Sequence, residues 1–317
     1  MMWLWLLVLL GLYFLYRWYR DRQILQNLPD KYVLITGCDS GFGNLLARQL
    51  DRKGMRVLAA CLTQRGAEQL KEATSQRLQT LILDVTDSQN VAAAADWVKQ
   101  QVGDRGLWGL VNNAGIAIPM APYEWLTKAD YQKIMDVNLM GPVNVTLSLL
   151  PLLRRTKGRI VNVASSLGRL SCMAGAYCMS KYGVEAFSDG LRRDPGSLGV
   201  KVSILEPGQF RTCITAFQPI EENLHVLWSH LPAEIKDTYG QNFFDAYCKY
   251  MQDMMSGANP NLSLVTDCME HALTAVHPRT RYSPGWDAKL FYIPVSYLPT
   301  VLADYLLTPT LPKLTRV

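Results

Sequence analysis

Thr36-Gly37-Cys38-Asp39-Ser40-Gly41-Phe42-Gly43 is the stretch that decides how this chain folds. Ahead of it, Lys31-Tyr32-Val33-Leu34-Ile35 is short, β-branched and aromatic, and reads as a buried strand. Behind it, Asn44-Leu45-Leu46-Ala47-Arg48-Gln49-Leu50 spaces its apolar residues as a helix does. Strand, glycine turn and helix in that order are the setting a phosphate-binding loop requires. The glycines let the backbone approach a pyrophosphate, and the helix N-terminus offers free N–H groups and the positive end of its dipole. A glycine-rich octet alone is often only a turn. Here a second strand follows at Arg56-Val57-Leu58-Ala59-Ala60, which makes the octet a candidate dinucleotide site.

Working outward, strands are expected at 32–36, 56–60, 80–84, 109–112, 159–163 and 201–206, with helices in most of the intervals. This alternation implies an α/β fold: a single Rossmann-type, doubly wound parallel sheet, with ligands gathering at the C-terminal ends of its strands. Asn112, Ser165 and Pro207 all fall at the end of an expected strand or just after one, on that same rim. Farther along, Tyr177-Cys178-Met179-Ser180-Lys181 sets a phenol and an ammonium four residues apart, on one face of a helix. A tyrosine normally titrates near ~10. A nearby ammonium favours the phenolate, which would suit Tyr177 to take a proton from an alcohol. Many ordinary helices carry the same pair, so the pentapeptide is ambiguous alone.

The pattern T-G-x-x-x-G-x-G, then Asn112-Asn113-Ala114-Gly115, Asn138, Ser165, Tyr177, Lys181 and Pro207-Gly208, resembles the short-chain dehydrogenase/reductase family. Segments 36–43, 56–63, 107–115, 182–189 and 277–289 resemble its microsomal retinol and hydroxysteroid dehydrogenase subgroup. The resemblance implies catalysis by Tyr177, Lys181, Ser165 and Asn138. Ser165 would orient the substrate oxygen, and its neighbour Ser166 is the rival for that role. Lys181 would also bond the nicotinamide ribose, and Asn138 would hold a water linking Lys181 to solvent. Cofactor contacts would come from Thr36, Gly37, Ser40, Gly41, Phe42, Gly43, Asp84, Asn112, Ala114, Gly115, Pro207, Gly208 and Thr212, besides Tyr177 and Lys181. Asp84 reads equally as a helix N-cap. Two departures stand out: Gln209 replaces a usual aromatic, and Asp194-Pro195-Gly196 should end a helix early.

The implied cofactor is NAD rather than NADP. The acid that usually ends the second strand of NAD-using members is missing at Cys61, but Asp39 stands in the loop where a cation would favour NADP. Arg65 is the nearest cation to that strand end.

At 317 residues and 49% hydrophobic, the chain fits one domain with a C-terminal extension, with no repeat or low-complexity linker. Residues 30–212 are expected to form the dinucleotide-binding core, and 213–317 a substrate lid and membrane-associated extension of the same domain. A net charge of +5 with scattered Lys and Arg gives nucleic-acid binding little support. Seven irregularly spaced cysteines argue for reduced thiols, and no metal site is expected.

Residues 1–16 carry no charge and are followed by Arg17, Arg20 and Arg22. We read 1–22 as a retained membrane anchor, because a cleavable signal would need a basic start and a small-residue cleavage site. The trailing arginines favour a cytosolic domain, and the resemblance implies the endoplasmic reticulum membrane. In the lid, Ile214, Phe217, Leu224, Leu227, Trp228, Phe243 and Phe244 suit either a large lipophilic substrate or plain core packing. The apolar run 290–307 would rest on the bilayer or pack as a terminal element. The expected partners are a lipophilic alcohol (a retinoid or a hydroxysteroid), the membrane, and a second copy in a homodimer. The competing class is a catalytically silent, anchored lipid- or dinucleotide-binding protein. Intact Ser165, Tyr177 and Lys181 argue against it.

Overall fold

In the strand Tyr32–Thr36 (β1) every residue is buried, which explains its unbroken apolar sequence: a strand covered on both faces shows no alternation. Val33 and Ile35 enter one apolar cluster and Leu34 another, as the two-residue period of a strand dictates. The computed structural model, which describes residues 2–172 and 175–308, builds the chain around this strand.

After the helix Met2–Asp21 (α1) and β1 come Gly41–Arg52 (α2), Arg56–Cys61 (β2), Gln64–Glu72 (α3), Gln79–Ile82 (β3), Ser88–Val102 (α4) and Gly109–Asn112 (β4). Then follow Lys128–Met135 (α5), Gly141–Thr156 (α6), Arg159–Val163 (β5), Gly175–Arg193 (α7) and Lys201–Leu205 (β6). The C-terminal third holds Phe217–His230 (α8), Ala233–Tyr239 (α9), Gln241–Ser256 (α10), Ser263–Thr274 (α11), Arg281–Tyr282 (β7), Ile293–Val295 (α12) and Thr300–Leu307 (α13). The strands form one seven-stranded sheet in the order β3-β2-β1-β4-β5-β6-β7, and every pairing is parallel. Strand order reverses between β1 and β4, the crevice where such sheets bind ligands.

All six expected strands are present. β3 sits slightly earlier than expected, because Leu83 and Asp84 have already left the ladder, and β7 was not anticipated. Two residues carry no periodic signal, and β7 exists only because Ile204 and Leu205 pair with it. Apolar side chains of α2 and α11 cover one face of the sheet, and those of α4 and α6 cover the other. Asp194 ends α7, accepting from Gly196 N at 2.9 Å, as the proline predicts. The break lies well past Lys181 and leaves the start of α7 intact.

α1 projects its apolar side chains outward: Trp5, Leu9 and Leu15 are each more than half exposed. Its 20 residues span about 30 Å at ~1.5 Å per residue. The stem that follows is tied to the fold. Ile24 bridges Ala275, Asp21 pairs with Arg279, and the Asp21 carbonyl lies 2.8 Å from His271 Nε2. The continuous run Lys128–Thr156 is also long and apolar enough to cross a membrane, but half of its most apolar stretch is buried inside the fold.

Candidate active site

The glycine loop is locked to the end of β4. Thr36 Oγ1 accepts from Asn113 N and Ala114 N, both at 3.0 Å. Asn113 Nδ2 donates to the carbonyls of Thr36 and Gly37 at 2.9 and 3.0 Å. Gly37 and Gly41 have φ of 69° and 59°, the left-handed region that favours glycine. A Cβ on Gly43 would run into the Gly37 carbonyl and lie 2.6 Å from Asn113 Nδ2. Ser40 is the N-cap of α2 without a side-chain cap bond, so the N–H groups of that first turn face the loop unclaimed. A cradle that any side chain would fill, at a helix N-terminus, fits a pyrophosphate. Thr212 stands beside it, its methyl 3.6 Å from where a Gly41 Cβ would be. Phe42 packs edge-on against Phe210, with centroids 5.8 Å apart, so the loop helix is braced against the segment after Pro207-Gly208.

Three polar residues land differently from their sequence reading. Asp84 is no helix cap: it accepts from Thr86 N and Oγ1 at 2.9 and 2.7 Å. Asp87 caps α4 instead, accepting from Gln89 N and Asn90 N. Asn112 turns inward, donating to Thr146 Oγ1 and Asn162 Oδ1 at 2.8 Å each. Asn113, which the sequence reading did not single out as a contact residue, does the bracing at the loop. Asp39 accepts from Leu62 N at 2.8 Å and Thr63 N at 3.0 Å. Its carboxylate therefore caps the turn just after β2, at the strand end where an acid appeared to be missing.

Tyr177 and Lys181 share a face at the start of α7. The Ser165 hydroxyl, on the loop after β5, accepts from Leu167 N at 3.1 Å and lines the same cavity as Tyr177, whose titration it draws down. Ser166, which also lines that cavity, is 2% exposed and its N–H donates to the Pro207 carbonyl. The Lys181 ammonium lies 5.6 Å from the Tyr177 ring centroid and donates to the Val163 carbonyl at 2.8 Å. A Cβ on Gly115 would sit 3.7 Å from it and 3.3 Å from Asn138 Oδ1, so Gly115, Asn138 and Lys181 meet. Asn138 lies in a π-helical turn, Asp136–Met140, between α5 and α6. Its amide is fully occupied by Ile116 N and O at 2.8 Å and Ser180 Oγ at 3.0 Å.

The electrostatics run against the simple sequence argument. Burial pushes Tyr177 up to about 12, and Ser165 pulls it back only in part. Burial also brings Lys181 down to about 8. In the protein alone, burial sets the direction of both shifts, and the Lys181 ammonium donates to a backbone carbonyl rather than to the phenol.

Above Tyr177 lies a cavity lined by Ala117, Met120, Ser165, Ile214, Met254 and Met255, among others. Of the seven lid residues named from sequence, only Ile214 reaches it. Phe243, Phe244, Leu224 and Trp228 pack around Trp125 instead, so the packing reading holds for the aromatics. Three methionines, flexible and polarizable, stand in the cavity wall, and no periodicity marks such scattered positions. Gln209 joins the Pro207-Gly208 loop to the lid, donating from Nε2 to the Met254 carbonyl at 2.6 Å. In the 290–307 run, Val295 and Ala303 pack on Leu170, while Tyr297, Val301 and Tyr305 are at least 70% exposed. The packing reading therefore holds for one side of it, and the other side is exposed and apolar.

A short chain dehydrogenase family model matches residues 31–223, and the chain belongs to that family, whose Rossmann fold binds a nicotinamide dinucleotide. Human 17-beta-hydroxysteroid dehydrogenase type 6 is 61% identical over 312 residues, covering 98% of each chain. Rat retinol dehydrogenase 7 is 60% identical over 303 residues, 96% of each. Among solved structures, a short-chain dehydrogenase from Streptomyces avermitilis superimposes with a TM-score of 0.69 at 25% identity, covering 87% of this chain and 95% of that one.

Proposed function

We propose that the protein is a membrane-bound, NAD-linked dehydrogenase that interconverts a lipophilic alcohol, a retinoid or a hydroxysteroid, and its carbonyl form. The observation that carries this is the convergence of Ser165 and Tyr177 on one cavity, with the Lys181 ammonium 5.6 Å from the Tyr177 ring centroid and the glycine loop alongside. Bound nicotinamide supplies the hydride acceptor. Tyr177 would take the hydroxyl proton, Ser165 would hold the alcohol oxygen, and Lys181 would hold the nicotinamide ribose. Asn138 positions Gly115 and the Lys181 surroundings. Thr36, Gly37, Ser40, Gly41, Phe42, Gly43, Ala114, Gly115, Pro207, Gly208 and Thr212 form the cofactor cleft, with Asn112 and Asn113 bracing it and Asp84 at its edge. The cavity encloses about 100 Å³, less than the ~300 Å³ at which small-molecule sites begin, so its lining would have to open to admit a retinoid or a steroid. Turnover of retinol and a 3α-hydroxysteroid with NAD, followed by cofactor absorbance, tests the reading; no turnover of either overturns it.

The NAD preference rests on Asp39. Its carboxylate holds the turn just after β2, so a 2′-phosphate at that strand end would meet a like charge, and among the described residues no salt bridge ties a cation to Asp39. Like charges at a partly screened ~4–6 Å repel by ~1 kcal/mol or more. kcat/KM is expected to favour NAD by about tenfold or more, since ~1.4 kcal/mol is a factor of ten. A tenfold preference for NADP would show instead that Arg65 captures the phosphate.

The exposed apolar α1 supports an anchor in the endoplasmic reticulum membrane, with Arg17, Arg20 and Arg22 favouring a cytosolic domain. The intact protein is expected to resist carbonate extraction, and deletion of residues 1–22 to release it. Ready extraction of the intact chain would contradict the anchor, and protease access in sealed microsomes reports the side.

A further inference from the structure

Arg159 and Lys201 open β5 and β6 and are register partners. Two cations thus stand side by side on neighbouring strands, an arrangement that destabilises a sheet unless something offsets it. Arg159 is 4% exposed. It lies 4.9 Å from the centroid of the Trp108 ring, and Lys31 Nζ lies 3.6 Å from the same centroid. The Arg159 guanidinium reaches one carbonyl, that of Ala275, at 3.4 Å, and its Nε is buried with no hydrogen-bond partner. Among the described residues, no salt bridge involves Arg159, Lys201, Lys31 or Arg20. The nearby acids do not fill the gap: Asp21 is committed to Arg279, and Asp30 acts on Lys31 alone among these cations. Arg20 and His277 complete the group, and Lys201 and His277 each feel Arg20 and Arg159 as like-charged neighbours. A buried guanidinium normally has a counter-charge; among the described residues none forms an ion pair with Arg159.

The place of the cluster indicates what supplies it. Lys201 Nζ donates to the Val276 carbonyl at 3.2 Å, next to the Ala275 carbonyl that Arg159 uses. Residues 275 and 276 are the ones that pair with the anchor stem, through the Ile24–Ala275 bridge and Val276 N to Gln23 O at 2.8 Å. The cations therefore stand at the foot of α1, at the strand starts, the end of the sheet away from Ser165. We propose that this cluster is a binding site for the anionic headgroup of an acidic phospholipid, its phosphate seated among Arg20, Lys201 and His277 over the buried Arg159. The proposal rests on α1 being a membrane anchor: a headgroup layer then lies where the helix meets the domain, and an anionic leaflet attracts such cations.

The test uses the full-length protein in lipid nanodiscs of phosphatidylcholine alone or mixed with phosphatidylserine. Lys201 acylation by an amine-reactive reagent is read by peptide mass spectrometry, with the remote, exposed Lys71 as control. Phosphatidylserine is expected to lower Lys201 labelling about fivefold relative to Lys71, high salt to restore it through screening, and Arg20→Gln to weaken the protection. Equal Lys201 labelling in the two lipids, in protein that still resists carbonate extraction, overturns the headgroup site and leaves the anchor standing. Carbonate extraction of the protein overturns both. Equal protection of the detergent-solubilised protein by inorganic phosphate shows a free-phosphate site and overturns the membrane assignment.

Discussion

Replacement of Tyr177 by phenylalanine is expected to lower kcat by about 10²–10⁴-fold, the usual contribution of a general acid–base group. The ring, which lines the cavity, is retained, and only the hydroxyl is removed. Cofactor affinity, followed by fluorescence, should therefore change little. Activity within about threefold of the parent would remove Tyr177 from the chemistry, since even the low end of that range is larger. The pH dependence follows from the same environment. With the phenol pushed up to about 12 by burial, its proton is held at neutral pH. The oxidative direction, which needs a base, should gain as pH rises, and the reductive direction, which needs the acid, should decline.

The second large effect is expected at Glu206, on stability rather than rate. Its side chain is 1% exposed and accepts from Arg169 at 3.0 Å, Arg281 Nε at 3.2 Å and Ser283 Oγ at 2.8 Å. Arg281 also reaches Glu185 on α7 at 2.8 Å. Burial, and then the charge of Glu206, push Glu185 up to about 7. Glu206→Ala leaves Arg169 and Arg281 short of a partner in a poorly solvated place. Breaking a buried pair this way costs about 3–5 kcal/mol, which denaturant unfolding would measure directly. A loss below ~1 kcal/mol would mean that water or the remaining acids satisfy both guanidinium groups, as at an exposed ion pair. Glu206 precedes Pro207, whose carbonyl bonds Ser166, so the same variant should also loosen the catalytic rim.

What the sequence revealed and what it hid divide along physical lines. The glycine loop, the buried strands and the Tyr177–Lys181 spacing are local patterns, set by backbone sterics and helix period, and they are read without knowing any partner. The direction of the Tyr177 titration depends on burial, a product of tertiary packing, as is the bond from Lys181 to the Val163 carbonyl. The Arg281–Glu206–Glu185 network and the Arg159–Lys201 pair join residues far apart in the chain through strand register. Charge counting along the sequence records such cations as scattered. The lid misleads differently: an aromatic is conspicuous in a sequence, yet Trp125 gathers the lid aromatics into its own core, and of the lid residues singled out only Ile214 reaches the cavity wall.

The stem between α1 and the sheet is a bridge and an ion pair rather than a free linker. On the proposed anchoring, an enzyme tethered so closely to the bilayer would not sample the surrounding solution. It would meet substrate by lateral diffusion in two dimensions, so its turnover should follow the mole fraction of alcohol in the bilayer. Adding inert lipid at a fixed total amount of alcohol should slow it by surface dilution alone.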